Sequence, residues 1–359
     1  MKKRNYLNFF YFLIFPLSFF LVSCKTNINN NNNNLIEVKD MVGDKVFVPK
    51  NPKKVACISR TTFDLLVGYG LQDSIYGAYD GTLNNPWLKL ILGEKAKKIV
   101  SLPYNPSAEE LIKNNVDLVF APEKIMAEEY RKQGINAITI SLYGNPSFDN
   151  FIFFFSDLIE QIWDSEIVKI RSNIWENELE KVLNEISTKL PKNNQQKKKI
   201  FYVRGDKERG INYTDTIGSL TEFVYRTLNL DFVGSIINVT RPSDEEIIKI
   251  DPDYFAFGGI YQNKNIQVLK EKSIYKNLSA VKNGNYFNIP IALTAFEQLS
   301  IMTPVFICDQ ANKIYPDIFN FNIDSLVKEY IKYYFDFDLN SNQIQWIKQG
   351  YGPNGESMV

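Results

Sequence analysis

Glu109-Glu110-Leu111-Ile112-Lys113-Asn114-Asn115-Val116-Asp117-Leu118-Val119-Phe120 returns later in the chain as Glu245-Glu246-Ile247-Ile248-Lys249-Ile250-Asp251-Pro252-Asp253-Tyr254-Phe255-Ala256. Laid over one another, the two stretches share Glu, Glu, Ile, Lys and Asp at five positions, and most apolar positions coincide. Each copy opens on a Pro-Ser pair, Pro106-Ser107 and Pro242-Ser243, whose serine is placed to cap a short helix. A turn and a short apolar run then give a buried strand. A helix-turn-strand unit that recurs with the same opening predicts two related lobes.

Outward from the first copy, Lys54-Val55-Ala56-Cys57-Ile58 is a short buried strand. Ser59-Arg60-Thr61-Thr62 leads from it into the apolar-periodic run Phe63 to Val67, and Ser74 to Tyr79 supplies a second strand. Strand, helix, strand is α/β construction. Ile36 to Val48 alternates around Gly43-Asp44, as an antiparallel hairpin does. Between the copies, Ser165 to Leu190 sets Ile167, Ile170, Ile174, Leu179, Val182, Ile186 and Leu190 at three- to five-residue steps. That spacing predicts one amphipathic helix of about 25 residues, about 38 Å long. Pro191 and the polar run Asn193 to Lys199 end it, and Ile200-Phe201-Tyr202-Val203 opens a new strand. The expected fold is α/β: two related lobes, each a mostly parallel sheet flanked by helices, joined by one long rigid helix.

Composition limits the function. The chain has 359 residues, 41 Lys plus Arg against 41 Asp plus Glu, and no histidine. Zero formal charge gives no field to hold nucleic acid by counterion release. Without histidine there is no Ser-His-Asp or Cys-His catalysis and no imidazole-held zinc. At the amino end, Lys2, Lys3 and Arg4 precede an uncharged apolar run from Phe9 to Val22, the form of a secretory signal peptide. Leu21-Val22-Ser23-Cys24 is similar to a bacterial lipobox, which implies cleavage before Cys24 and its lipidation. The polar tract Asn27 to Asn34 then reads as a tether between lipid and fold. Cys57 and Cys308 lie among apolar residues and are expected to be free buried thiols, with a disulfide between them the alternative that secretion leaves open. The resulting organisation is a signal peptide over 1–23, a lipidated Asn-rich tether over 24–34, an N-terminal lobe over 35–148, an interlobe helix region over 149–192, a C-terminal lobe over 193–319 and a helical extension over 320–359, expected to add a helix to the second lobe.

From about Ile36 to Phe319 the chain resembles the class III substrate-binding proteins of bacterial ABC importers, which serve ferric siderophores, haem, cobalamin and some metal chelates or oxyanions. The resemblance is carried by Asp40 through Pro49, Pro52-Lys53-Lys54-Val55, Pro106 through Val119, Glu245 through Asp253, and Leu278 through Phe287, in that order and spacing. It implies a periplasmic-binding-protein-like receptor and not an enzyme, with its ligand between the lobes on loops at the carboxyl ends of strands. Arg60, Thr61, Thr62 and Tyr104 are the candidates in the first lobe, and Arg204, Tyr213, Arg241 and Tyr261 in the second, with Arg209 beside them. Arginines there suit an anionic chelate and tyrosines its apolar rim. The resemblance further implies that Glu109 and Glu245, one per lobe, dock against arginines of a permease dimer.

An iron complex, a ferric siderophore or related metal chelate, is the expected cargo. The missing imidazoles disfavour a bare metal ion, and no resident cofactor or metal site is expected. Haem, cobalamin or an oxyanion such as molybdate, held by helix-start N–H groups, is the alternative within the same fold. A secreted hydrolase using paired carboxylates and a surface adhesin are the alternatives from other classes. The expected location is the cell envelope, lipid-anchored and facing the periplasm or cell exterior.

Overall fold

The computed structural model describes residues 35–141, 152–190 and 197–359. The expected signal peptide, Cys24 and the expected Asn-rich tether lie outside the described residues, as do the expected boundaries at 148/149 and 192/193. Strands β1 (Leu35–Lys39) and β2 (Lys45–Pro49) form the expected antiparallel hairpin. Its turn is closed by the buried Asp40 carboxylate, which accepts from the N–H groups of Val42 and Asp44 at 3.1 and 2.9 Å.

Two all-parallel sheets follow. The first contains β3 (Val55–Cys57), β4 (Ile75–Tyr79), β5 (Val100–Leu102), β6 (Leu118–Ala121) and β7 (Ala137–Thr139), in the order β5-β4-β3-β6-β7. The second contains β8 (Lys199–Val203), β9 (Asp231–Phe232), β10 (Tyr254–Phe257) and β11 (Tyr286–Asn288), in the order β11-β10-β8-β9. In each sheet the chain leaves its first strand in both directions, which creates a switch point between β3 and β6 and another between β8 and β10. Open parallel sheets hold ligands at the carboxyl ends of strands at such points.

The repeated unit is built the same way in both lobes. Ser107 caps the helix Ala108–Lys113 and Ser243 caps the helix Asp244–Ile250, each hydroxyl accepting from the N–H three residues on at 3.2 Å. In the second copy Glu246 closes a full capping box by accepting from the Ser243 N–H at 2.7 Å. The repeated aspartates serve the neighbouring strand. Asp117 accepts from the N–H of Lys53 and Lys54 at 2.7 and 2.8 Å, and Asp253 from the N–H of Lys199 at 2.7 Å. The ammonium groups of Lys54 and Lys199 reach back to the carbonyls of Asn114 and Ile250. One brace thus ties helix, turn and first strand together in each lobe.

Strand side chains alternate between two cores. Val55 and Cys57 of β3, with Ile200 and Tyr202 of β8, face a central apolar core that runs through both lobes, whereas Ala56 and Phe201 face separate outer cores. The interlobe helix Glu166–Lys189 matches the expected span and lies in that central core. Its buried face differs from the expected one. Ile167, Ile170 and Ile174 are 45, 47 and 39% exposed, and Val168, Ser172 and Trp175 face inward instead. Trp175 sets the rotation, because its ring needs the largest buried space and its indole N–H donates to the Ile301 carbonyl at 3.1 Å. Cys57 and Cys308 are free and buried, as expected.

The extension departs from the expectation of one helix on the second lobe. It forms two helices, Ile323–Phe335 and Ser341–Lys348, and touches both lobes. Arg171 donates to the carbonyls of Gly68 and Tyr334 at 2.9 and 3.3 Å, and Trp87 donates to the Tyr351 carbonyl at 2.7 Å. On the other lobe, the Asn263 side chain donates to the Gln349 carbonyl at 3.0 Å. Its apolar residues, Val327, Ile331 and Ile347 among them, join the central core.

A buried acid links the first lobe to that core. Asp64, on the helix Arg60–Gly68, is 1% exposed and accepts from the Ile301 N–H at 2.8 Å through one oxygen, while its other oxygen has no partner among the described residues. Burial pushes its carboxyl up to about 7. The unfolded value is about 3.9, so the folded state holds a proton that the unfolded state releases, and this contribution is lost as pH rises from about 4 through 7. Relative to Asp64→Asn, the wild-type protein should therefore lose about 2–4 kcal/mol of stability across that window. Urea unfolding at both ends of the window checks this, and parallel pH profiles for the two proteins would contradict it.

Candidate functional site

The carboxyl ends of the two sheets open onto a cleft with two adjoining chambers of about 640 and 310 Å³. Six residues line both chambers: Arg60, Tyr79, Arg204, Asp215, Glu297 and Gln298.

The first lobe contributes residues from the ends of three strands, the last of them held by a residue after a fourth. Arg60 begins the helix after β3, and its guanidinium lies 5.6 Å from the ring centre of Tyr79, the last residue of β4. Tyr79 meets Tyr104, after β5, edge to face at 5.8 Å. The Tyr104 hydroxyl donates to Glu123, after β6, at 2.8 Å. Burial and the Glu123 carboxylate push the Tyr104 phenol up to about 12, so it remains a donor at physiological pH.

The second lobe answers with two arginines on one ring. The guanidiniums of Arg204 and Arg209 stand 5.2 and 4.0 Å from the ring centre of Tyr213. Arg204, immediately after β8, also pairs with the buried Asp215 at 3.1 Å, and Arg209 pairs with Asp206 at 2.8 Å. The loop is closed where the Arg204 N–H donates to the Tyr213 carbonyl at 2.8 Å. Arg60, by contrast, has no carboxylate partner among the described residues and is exposed to the cleft.

Most sequence-derived candidates meet here. Arg60, Tyr104, Arg204, Tyr213 and Tyr261 line the cleft, and Thr61 lines its smaller chamber. Thr62 is fully buried and lines neither chamber, because it faces into the packed side of its helix. Arg241 is solvent-exposed and also lines neither. Its loop is docked on the Arg204–Tyr213 segment through the Asn212 side chain, which donates to the Pro242 carbonyl at 3.0 Å. Glu109 and Glu245 are both exposed in the first turns of their helices, on separate lobes.

Several cleft residues escape sequence reading. Asn85 uses its side-chain N–H₂ to join the lobes, donating to the carbonyls of Ala292 and Leu293 at 2.7 and 2.8 Å, while its oxygen caps the following helix. Glu297 and Gln298 come from the buried irregular segment after β11, and Met358 from the extension. One signal was present: Glu297 follows Leu293-Thr294-Ala295-Phe296, and a charge beside an apolar run is either a surface break or a buried functional group. Among the described residues, no group of three or more Cys, Asp or Glu is placed to hold a metal ion.

The two arginines that face each other across the cleft therefore differ in what they hold. Arg204→Ala strands the buried Asp215 charge and should cost about 1–3 kcal/mol, less than a fully buried pair because Arg204 is partly exposed. Adding Asp215→Asn should recover part of that loss, whereas Arg60→Ala should stay within about 0.5 kcal/mol. Denaturant titrations of the four proteins read this directly, and equal losses at Arg60 and Arg204 would refute the distinction.

No family model matches the sequence. Over 272 residues the chain is 24% identical to the Fe(3+)-citrate-binding protein YfmC of Bacillus subtilis, covering 74% of this chain and 83% of that one. A periplasmic solute-binding protein of Veillonella parvula superposes with a TM-score of 0.66 at 18% identity, over 91% of this chain and all of the other. The molybdate periplasmic binding protein MolA of Haemophilus influenzae, in its molybdate-bound structure, superposes with a TM-score of 0.72 at 14% identity, over 85% of this chain and 99% of that one. With its paired parallel sheets, interlobe helix and cleft at the switch points, the chain has the two-lobed fold of the class III periplasmic solute-binding proteins of ABC transporters.

Proposed function

We propose that the protein captures an iron complex, a ferric siderophore or related metal chelate, between its lobes and delivers it to an ABC importer. The observation that carries this reading is the pairing of an arginine with a tyrosine face on both walls of the cleft: Arg60 on Tyr79, and Arg204 with Arg209 on Tyr213. Guanidiniums suit the carboxylate or hydroxamate oxygens of an anionic chelate, and the ring faces suit its apolar parts. The chelator supplies the metal's ligands, which fits a chain without histidine.

Size argues in the same direction. The larger chamber, about 640 Å³, falls within the range of about 300–1,000 Å³ that suits small organic ligands. A tetrahedral oxyanion, only a few times the roughly 30 Å³ share of one water, would leave most of it empty. The likeness to MolA keeps an oxyanion as the second reading. Hydrolysis by Asp215 and Glu297 is disfavoured, since each is 6% exposed and each is engaged by protein donors. Glu109 and Glu245, one per lobe and open to solvent, are the contacts we assign to a permease dimer, where charge-assisted bonds to arginine would read lobe geometry. Lipidated Cys24 would hold the receptor at the membrane, facing the periplasm or cell exterior.

Thermal shift with ferric citrate, a ferric hydroxamate siderophore, haem, cobalamin and molybdate tests the cargo. An iron chelate at a hundred times its Kd should add about 2.7 kcal/mol to stability. Stabilisation by molybdate alone would favour the oxyanion reading, and cleavage of a glycoside or ester with no ligand bound would end the receptor reading. Combined Glu109→Arg and Glu245→Arg should abolish uptake of the iron complex by cells while leaving its Kd unchanged; a weakened Kd would move these residues into the pocket.

A further inference from the structure

We propose, on the reading of the cleft as a site for an anionic iron complex, that Glu297 couples ligand capture to the uptake of a proton. Glu297 stands where the chambers join, in the same wall as Arg204 and opposite Arg60 of the other lobe. One of its oxygens accepts from the Gly259 N–H at 2.7 Å and from the Tyr202 hydroxyl at 3.3 Å. The other, Oε2, is shielded from solvent and has no hydrogen-bond partner among the described residues. The seat is made by two glycines: a Cβ on Gly258 would come within 2.5 Å of the Glu297 carboxylate, and Gly259 turns at φ +67°. The turn at the carboxyl end of β10, where a parallel sheet offers its backbone to a ligand, is thus filled by a carboxyl of the protein itself. An ionised Glu297 places a negative charge in the wall of a chamber that must receive an anion.

The groups around it do not cancel that charge. Tyr202 approaches from β8, Asp215 and Arg204 from the loop after it, and Tyr225 from the helix Leu220–Thr227. Arg60 and Tyr79 line the same junction from the first lobe, and no lysine lines either chamber. Arg204 is bridged to Asp215, so its charge offsets that carboxylate first. Burial, with the nearby Asp215 charge adding to it, pushes Glu297 up to about 7 in the empty cleft. A bound anion excludes more water and brings a like charge, and both effects favour the neutral acid further. Capture at or above neutral pH therefore takes up a proton, and affinity weakens by up to about tenfold per pH unit as pH rises.

Glu297→Gln fixes the neutral state with the same shape. Titration calorimetry of ferric citrate, run in buffers of different ionisation enthalpy at about pH 7.5, should show up to about one more proton taken up by the wild-type protein than by Glu297→Gln. From about pH 6.5 to 8.5 the wild-type Kd should rise relative to that of the variant, and the comparison cancels the pH-dependent speciation of ferric citrate. Tyr202→Phe provides a second variant: it removes a hydroxyl that favours the carboxylate, so the midpoint of proton uptake should move to higher pH. Equal proton counts in wild type and Glu297→Gln, or an unmoved midpoint in Tyr202→Phe, overturn the coupling while leaving the receptor reading intact. If the wild-type protein binds no ferric citrate, the same comparison is run with the ferric hydroxamate siderophore, and a protein that binds neither at any of these pH values overturns that reading, and the coupling with it.

Discussion

The central core shared by the two sheets is the constraint from which the rest of the structure follows. Each sheet turns one face toward its partner lobe, and the interlobe helix, the helix Thr303–Ile314 and the extension fill the space between. Because interiors pack at near-crystalline density, such a core transmits position and resists bending. It fixes the positions of the two switch points, and so brings Arg60 of one lobe and Arg204 of the other to the same cleft. It also makes a wide hinge motion costly, since opening the lobes would expose Trp175 and the apolar residues around it. Asn85, which hydrogen-bonds two carbonyls of the opposite lobe, holds the walls together closer to the cleft.

What the sequence disclosed was local chemistry. The Pro-Ser openings revealed helix caps because capping is decided within a few residues, and the repeated helix-turn-strand revealed two related lobes. The cleft loops were legible because the carboxyl ends of parallel strands are where such sheets bind ligands. What stayed hidden depended on distant partners. The rotation of the interlobe helix is set by Trp175 meeting Ile301, and three isoleucines on a plausible apolar stripe lost to that one contact. The reach of the extension to the first lobe rests on Trp87 and Arg171, neither of which has a local signature. Glu297 was missed because a charge beside an apolar run does not tell burial from a surface break, and the glycine turn and tyrosine that bury it come from distant segments.

The cleft is electrostatically mixed rather than simply basic. Arg204 and Arg209 are each bound to a neighbouring aspartate, so they face the cleft already oriented. A guanidinium held by one carboxylate still has donors to offer, and the tyrosine face beneath it fixes its plane. Such an arrangement favours selection by shape and direction over strong long-range attraction, in keeping with a chain whose formal charge is zero.

The paired Lys–Asp braces bear on how the chain acquires its shape. Each lies wholly within one lobe, linking residues 63 apart in the first and 54 apart in the second. Each lobe therefore has its own closure of modest loop length, made without residues of the other. The central core, by contrast, draws on residues from the hairpin to the final helix. Closure within a lobe and formation of the cleft therefore rest on different sets of contacts. Whatever the cleft holds, its two walls depend on the core between the lobes, whereas each brace depends only on its own lobe.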